Sequence, residues 1–269
     1  MDWHDERVEI AEHIESLQRD GQLMAAAAER AGLTAAVPSC PGWRVPDLLR
    51  HQGYVHRWAG RFVAERLPDP VPKSSETEIL AANPPDGQLL DWFREGHAGL
   101  VAALRAAPPD LSCWTFLPAP SGLAFWARRQ AHETAIHRAD AELATGGAVT
   151  SPSPAFAADG IDELIMGFFA RDERRLTSEQ QAGGRQRVEV QPTDSAGEWQ
   201  IELTEDGTRA ASVRRGIDGA ADCTLAGPAA GLYLVLWNRG EPGGATEVSV
   251  GGDPSVLRTW RDGMRVTWD

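Results

Sequence analysis

His51, Glu133 and His137 are the residues of this sequence whose types and spacing best suit chemistry. Glu133 and His137 stand four apart, so on a helix they lie one above the other on a single face. Steps of about 100° per residue put Phe125, Ile136 and Leu143 on an apolar side. Arg128, Ala131, Ala135 and Arg138 fall opposite, and Glu133, His137 and Asp140 cluster at the edge of the inward face. The same projection over the preceding helical segment sets His51 within an apolar stripe of Leu48, Val55, Trp58 and Phe62. Arg50, Arg57 and Arg61 share a flank, and His56 projects away towards the surface.

A buried charge without a partner is costly, so this cluster needs a compensating group. One solution is a divalent metal, with zinc the first choice. Two histidines and one glutamate, with water in the open fourth position, make a catalytic type of zinc site. Bundle cores hold metals on inward Glu and His side chains. The other solution is a pair of core histidines satisfied by Glu133 and Asp140. The pattern alone leaves both open. HETAIH at 132–137 is HExxxH, so the HExxH spacing of metalloproteases is absent. His132 points about 100° away from Glu133, which gives it a structural role.

The elements that must position these residues follow from periodicity and punctuation. Helices are expected over about 7–31, 46–66, 87–106, 122–144 and 155–174. Gly32 suits a stop for the first, and Pro46 with Asp47 an early turn of the second. Four long helices with moderate loops suggest an up-and-down bundle, the fifth leading out of it. TSEQQAGGRQ at 177–186 reads as a linker. Beyond it, RVEVQ, EWQIELT and TRAASVRR read as strands, with a hairpin turn at 205–207. PAAGLYLVLWNR reads as a helix, TEVSVGG as a strand, DPSVLRTWRDG as a short helix and MRVTW as a last strand. The fold class is α+β: a helical bundle over 1–175 and a small α+β domain over 186–269.

Bulk properties exclude several partners. A net charge of −13 repels phosphate backbones and anionic lipid, so neither nucleic acid nor a membrane is expected. No window approaches the roughly 18 apolar residues of a membrane span. Three widely spaced cysteines, Cys40, Cys113 and Cys223, form no CxxC pair and no disulfide framework. With a charged N-terminus lacking an apolar leader, this points to the cytoplasm. Cys40 lies in a Pro-flanked loop with no evident base and reads as structural. Ten tryptophans stand against two tyrosines, and most are expected in the core or its rim.

Taken together, two blocks carry a resemblance. CPGWRVPDLLRHQGYVHRW at 40–58 and RRQAHETAIHRADA at 128–141 resemble the signature blocks of the mycothiol-dependent maleylpyruvate isomerase family. That family lies within the wider DinB-like metal-binding four-helix bundles. TLAGPAAGLYLVLWNRGEP at 224–242 is similar to the small, sterol-carrier-like α+β domain that follows the bundle in many members. The resemblance implies that His51, Glu133 and His137 bind the metal and that mycothiol is the thiol co-substrate. Only a thiolate is a good nucleophile, and a free thiol has a pKa near 8.5. A zinc ion held by two neutral histidines and one carboxylate carries net charge +1, which suits an anionic sulfur. The thiolate then adds to a small electrophile. Asp140 is expected to orient a ligand or to pair with a cation such as Arg129. Arg239, after the C-terminal helix, is a candidate for binding a carboxylate of substrate or thiol. The alternatives are a metal-holding ligand-binding protein and a zinc hydrolase whose metal-bound water attacks an amide or ester.

Overall fold

The computed structural model describes residues 8–72, 77–78, 83–173, 185–205 and 209–263. It divides into two compact units, one spanning Glu9–Thr150 and one running from Ser151 onward. The division falls before the fifth helix, which the sequence assigns to the bundle by running it to 175.

The N-terminal unit holds four helices: α1 (Ile10–Ala31), α2 (Val45–Glu65), α3 (Leu89–Ala106) and α4 (Gly122–Ala144). Local chemistry sets their ends. Glu9 and Glu12 form a reciprocal cap at the start of α1, which stops at Gly32 with φ 78°. Ser121 caps α4, its hydroxyl accepting from the Ala124 N–H at 3.2 Å. Around the bundle the order is α1–α4–α2–α3. The consecutive helices α1 and α2 are therefore diagonal, and the expected up-and-down neighbour order is not found. Gly53 lets α2 and α3 approach, because a Cβ there would stand 2.2 Å from the Trp92 ring.

Burial corrects the helical projections. On α2 the inward stripe is Val45, Leu48, Leu49, Gln52, His56, Ala59, Phe62 and Val63. His56 is fully buried, not at the surface, and His51 is the residue at the rim. The apolar count misplaced the stripe because two of its central positions, Gln52 and His56, are polar. On α4 little of the expected outward side remains, Arg128 alone of its four residues being partly exposed. Ala131, Ala135 and Arg138 are buried along with the inward face, since α1 packs on one side and α2 on another. Arg138 answers its burial by pairing with Glu142 at 2.7 Å and Asp20 at 3.5 Å.

In the C-terminal unit, α5 (Pro154–Asp162) continues through a π-helical segment, Glu163–Phe169, into a last turn, Ala170–Glu173. The strands are β1 (Gln186–Pro192), β2 (Trp199–Leu203), β3 (Ala210–Arg215), β4 (Cys223–Gly227) and β5 (Ser249–Gly252). They form one sheet in the order β3-β2-β1-β4-β5, with β1 and β4 parallel and the other pairs antiparallel. Helix α6 (Ala229–Leu236) links β4 to β5 and packs on α5, and α7 (Pro254–Gly263) follows. The expected strand MRVTW lies outside the described residues, as do positions 206 and 207 of the expected hairpin turn. Strand β4 is not among the sequence expectations. Its buried positions alternate at Cys223, Leu225 and Gly227, but five residues with Ala and Gly give little β signal.

Candidate metal centre

Helices α2 and α4 pack together and bring three polar groups to one point. The ligand atoms of His51, Glu133 and His137 all lie within 4.8 Å of one another. Glu133 Oε1 is 3.3 Å from His51 Nε2 and 3.2 Å from His137 Nε2. These separations are long for charge-assisted hydrogen bonds, which run about 2.7–2.9 Å. They match the edge of a metal tetrahedron, since ligands roughly 2.0–2.1 Å from zinc stand about 3.3 Å apart. The His137–Asp140 contact differs: Nδ1 lies 2.8 Å from Asp140 Oδ2, an ordinary charged hydrogen bond. That bond holds a proton on Nδ1, so Nε2, which faces Glu133, is the nitrogen that a metal would take once His137 is neutral. The donor set, its spacing and the fixed tautomer fit a divalent ion.

Electrostatics agree. Burial alone would lower the pKa of His137, yet hydrogen bonds to Asp140 and Glu133 and their charges raise it to about 9. Burial would raise the Glu133 carboxyl. Hydrogen bonds from His137 and His51, with the His137 and Arg129 charges, instead hold it well below its ordinary value. The two carboxylates therefore hold His137 charged in spite of its burial, and His137 and Arg129 in turn keep Glu133 ionised.

The surroundings bring in residues that the sequence reading did not assign. Asp140, fully buried, also accepts from the Ser39 hydroxyl at 2.5 Å and lies 3.4 Å from Cys40 Sγ. The loop after α1 thereby touches the centre through Asp140. The same loop carries Trp43, whose ring lies 5.2 Å from that of His51. It is 6.3 Å from that of His137 and within 14° of parallel to it. Arg129 pairs with Glu133 at 2.8 Å; its position four residues before Glu133 was a signal in plain view. Ser39 had no such signal, standing 101 residues from the Asp140 it meets, and nothing local pairs Trp43 with His137. His132 is buried, with its ring edge-on to that of His13 at 5.8 Å. Arg239 belongs to the C-terminal unit, where its guanidinium donates to the Trp237 carbonyl at 2.7 Å.

Comparison with known proteins decides the family. A model of the mycothiol maleylpyruvate isomerase N-terminal domain matches residues 15–142. A model of the C-terminal domain of the same proteins matches residues 155–259. The chain belongs to the mycothiol-dependent maleylpyruvate isomerase family. Membership places it among thiol-dependent enzymes of isomerase type. A solved mycothiol-dependent maleylpyruvate isomerase is similar, with 15% identity and a TM-score of 0.58 over 93% of this chain and 95% of that one. A histidine-to-alanine mutant described under the same enzyme name matches with 14% identity and a TM-score of 0.57, over 89% and 92%. At such identity the likeness is one of fold. No curated protein sequence matches the chain. Among the described residues, no helix is long and apolar enough to cross a membrane.

Proposed function

We propose that this chain is a metal-dependent enzyme that activates a low-molecular-weight thiol, mycothiol, for addition or transfer to a small electrophile. The observation that carries the reading is the spacing of Glu133 Oε1 from two imidazole Nε2 atoms, 3.2 and 3.3 Å, a metal edge. Zinc is the ion we assign. When bound, it supplies the Lewis acidity that favours thiolate over thiol near neutral pH.

The chain's own residues do the rest. His51 and His137 each present an Nε2 lone pair, and Asp140 keeps the His137 proton on Nδ1. Glu133 supplies the one negative charge in the donor set, so that the loaded centre remains net positive and attracts an anionic sulfur. Trp43 covers the imidazoles on one side and limits water there. Arg239 is assigned to a carboxylate of substrate or thiol, for which a guanidinium fork is suited. Three free cysteines among the described residues suit a reducing compartment, and we place the enzyme in the cytoplasm.

The test is turnover of an electrophilic acceptor with mycothiol by metal-loaded protein, chelated protein and the Glu133→Gln variant. Thiol-dependent turnover is expected only from the loaded wild type. An unchanged rate after chelation would make the metal structural and sink the reading. Turnover with metal and water, indifferent to thiol, would replace it with a hydrolase.

A further inference from the structure

Arg129 lies one helical turn before Glu133 on α4 and is only 1% exposed. A buried guanidinium beside a site built for a cation is a costly neighbour. Surface pairs of this i,i+4 kind add a few tenths of a kcal/mol, and a buried pair often stabilises no more than apolar side chains of the same volume. Stability alone is therefore a poor account of it.

The geometry gives a better one. Arg129 donates to Oε2 of Glu133 at 2.8 Å, whereas Oε1 faces the Nε2 atoms of His51 and His137. The two oxygens have separate partners. A carboxylate with both oxygens free can bind one ion through both. With one lone pair of Oε2 taken by a guanidinium, Oε1 is the favoured ligand atom.

We propose that Arg129 is a positioning residue that makes Glu133 a single-oxygen ligand. This rests on the metal reading above. One oxygen rather than two leaves a further coordination position for the thiol sulfur or a substrate oxygen. The guanidinium also draws electron density from the carboxylate, which leaves the ion a stronger acid towards a bound thiol. Arg129 touches neither substrate nor thiol in this account and acts through Glu133.

The test uses full-length protein loaded with cobalt(II), whose visible absorption weakens as its coordination number rises. In Arg129→Gln, Glu133 is expected to bind through both oxygens. The cobalt band should weaken, and cobalt affinity measured by chelator competition should shift. Thiol-dependent kcat should fall about 10- to 100-fold, with KM for the electrophile little changed. A cobalt spectrum and affinity identical to wild type overturn the proposal. If Arg129→Gln does not fold, a crystal structure of zinc-loaded wild type decides. One Glu133 oxygen on the metal and the other on Arg129 supports the proposal, and both oxygens on the metal overturn it. Wild type that binds neither cobalt nor zinc overturns the metal reading itself, a failure distinct from the other two.

Discussion

Two polar clusters sit side by side between α2 and α4, one residue apart on each helix, and they behave in opposite ways. The first is His51, Glu133 and His137 with Asp140. The second is Gln52, His56 and Thr134, in which Gln52 Nε2 lies 2.9 Å from His56 Nε2 and 3.1 Å from Thr134 Oγ1. Thr134 Oγ1 is 2.9 Å from the same His56 nitrogen. The second cluster contains no carboxylate and is fully buried. Burial, with a smaller push from His97, drives the His56 pKa well below its ordinary value, so that histidine stays neutral. In the first cluster two carboxylates reverse the effect of burial, and His51 reaches the rim with its side chain 22% exposed. The lesson is that histidine on a bundle face does not by itself indicate chemistry. Adjacent carboxylates and access to solvent do.

The largest expected effect separates the two clusters outright. His51→Ala or Glu133→Ala should lose the bound metal and thiol-dependent turnover together, because three protein ligands cannot spare one. Elemental analysis of purified protein should read about one ion per chain in wild type and almost none in either variant. Equal metal in all three would erase the distinction between the clusters.

This contrast was only partly legible in the sequence. The trio itself was readable, because Glu133 and His137 are four apart and His51 lies on a helix bounded by Pro46 at its start. The helical stretches of α2, α3 and α4 were legible to within a few residues from the same periodicity. The burial of His51 and His56 on α2 is the reverse of that reading, however. Counting only apolar residues rotates the stripe away from Gln52 and His56, whose polarity is satisfied by Thr134 on another helix. The all-round burial of α4 was hidden for a related reason. Arg138 looks like a surface residue until Asp20 and Glu142 are brought to it. In each case the missing information included a partner distant in sequence, Thr134 for the first and Asp20 for the second, which no local pattern encodes.

A second prediction sharpens the comparison through pH. The His137 pKa is raised to about 9, so the metal-free protein holds a proton there at neutral pH. That protonated contact stabilises the metal-free fold below pH ~6.5, the unperturbed histidine value, and the contribution is lost as pH rises through 9. A metal must displace the same proton. Apparent metal affinity should therefore rise by up to about tenfold per pH unit between 7 and 9 and level off above. Chelator competition across that range measures it. A flat profile would mean that His137 is already neutral and that the carboxylates do not set this cluster apart. Activity should fall on the acid side for the same reason.

The smallest effect at the metal should come from the second cluster, and it tests whether adjacency alone couples the two. Thr134 is fully buried and one residue from Glu133. Thr134→Val keeps the shape and removes the hydroxyl, leaving the buried Gln52 amide and His56 ring short of a partner. Such a loss costs about 1–2 kcal/mol, read as a lower urea midpoint at unchanged slope. The metal should remain, because the Thr134 side chain bonds to Gln52 and His56 and not to any of the three proposed ligands. Stoichiometry near one ion per chain with near-normal turnover is therefore expected in a measurably weaker protein. If metal content falls in step with stability, the hydrogen bonds of Gln52, His56 and Thr134 fix the register of α2 on α4 on which the trio depends. The two clusters would then be one device.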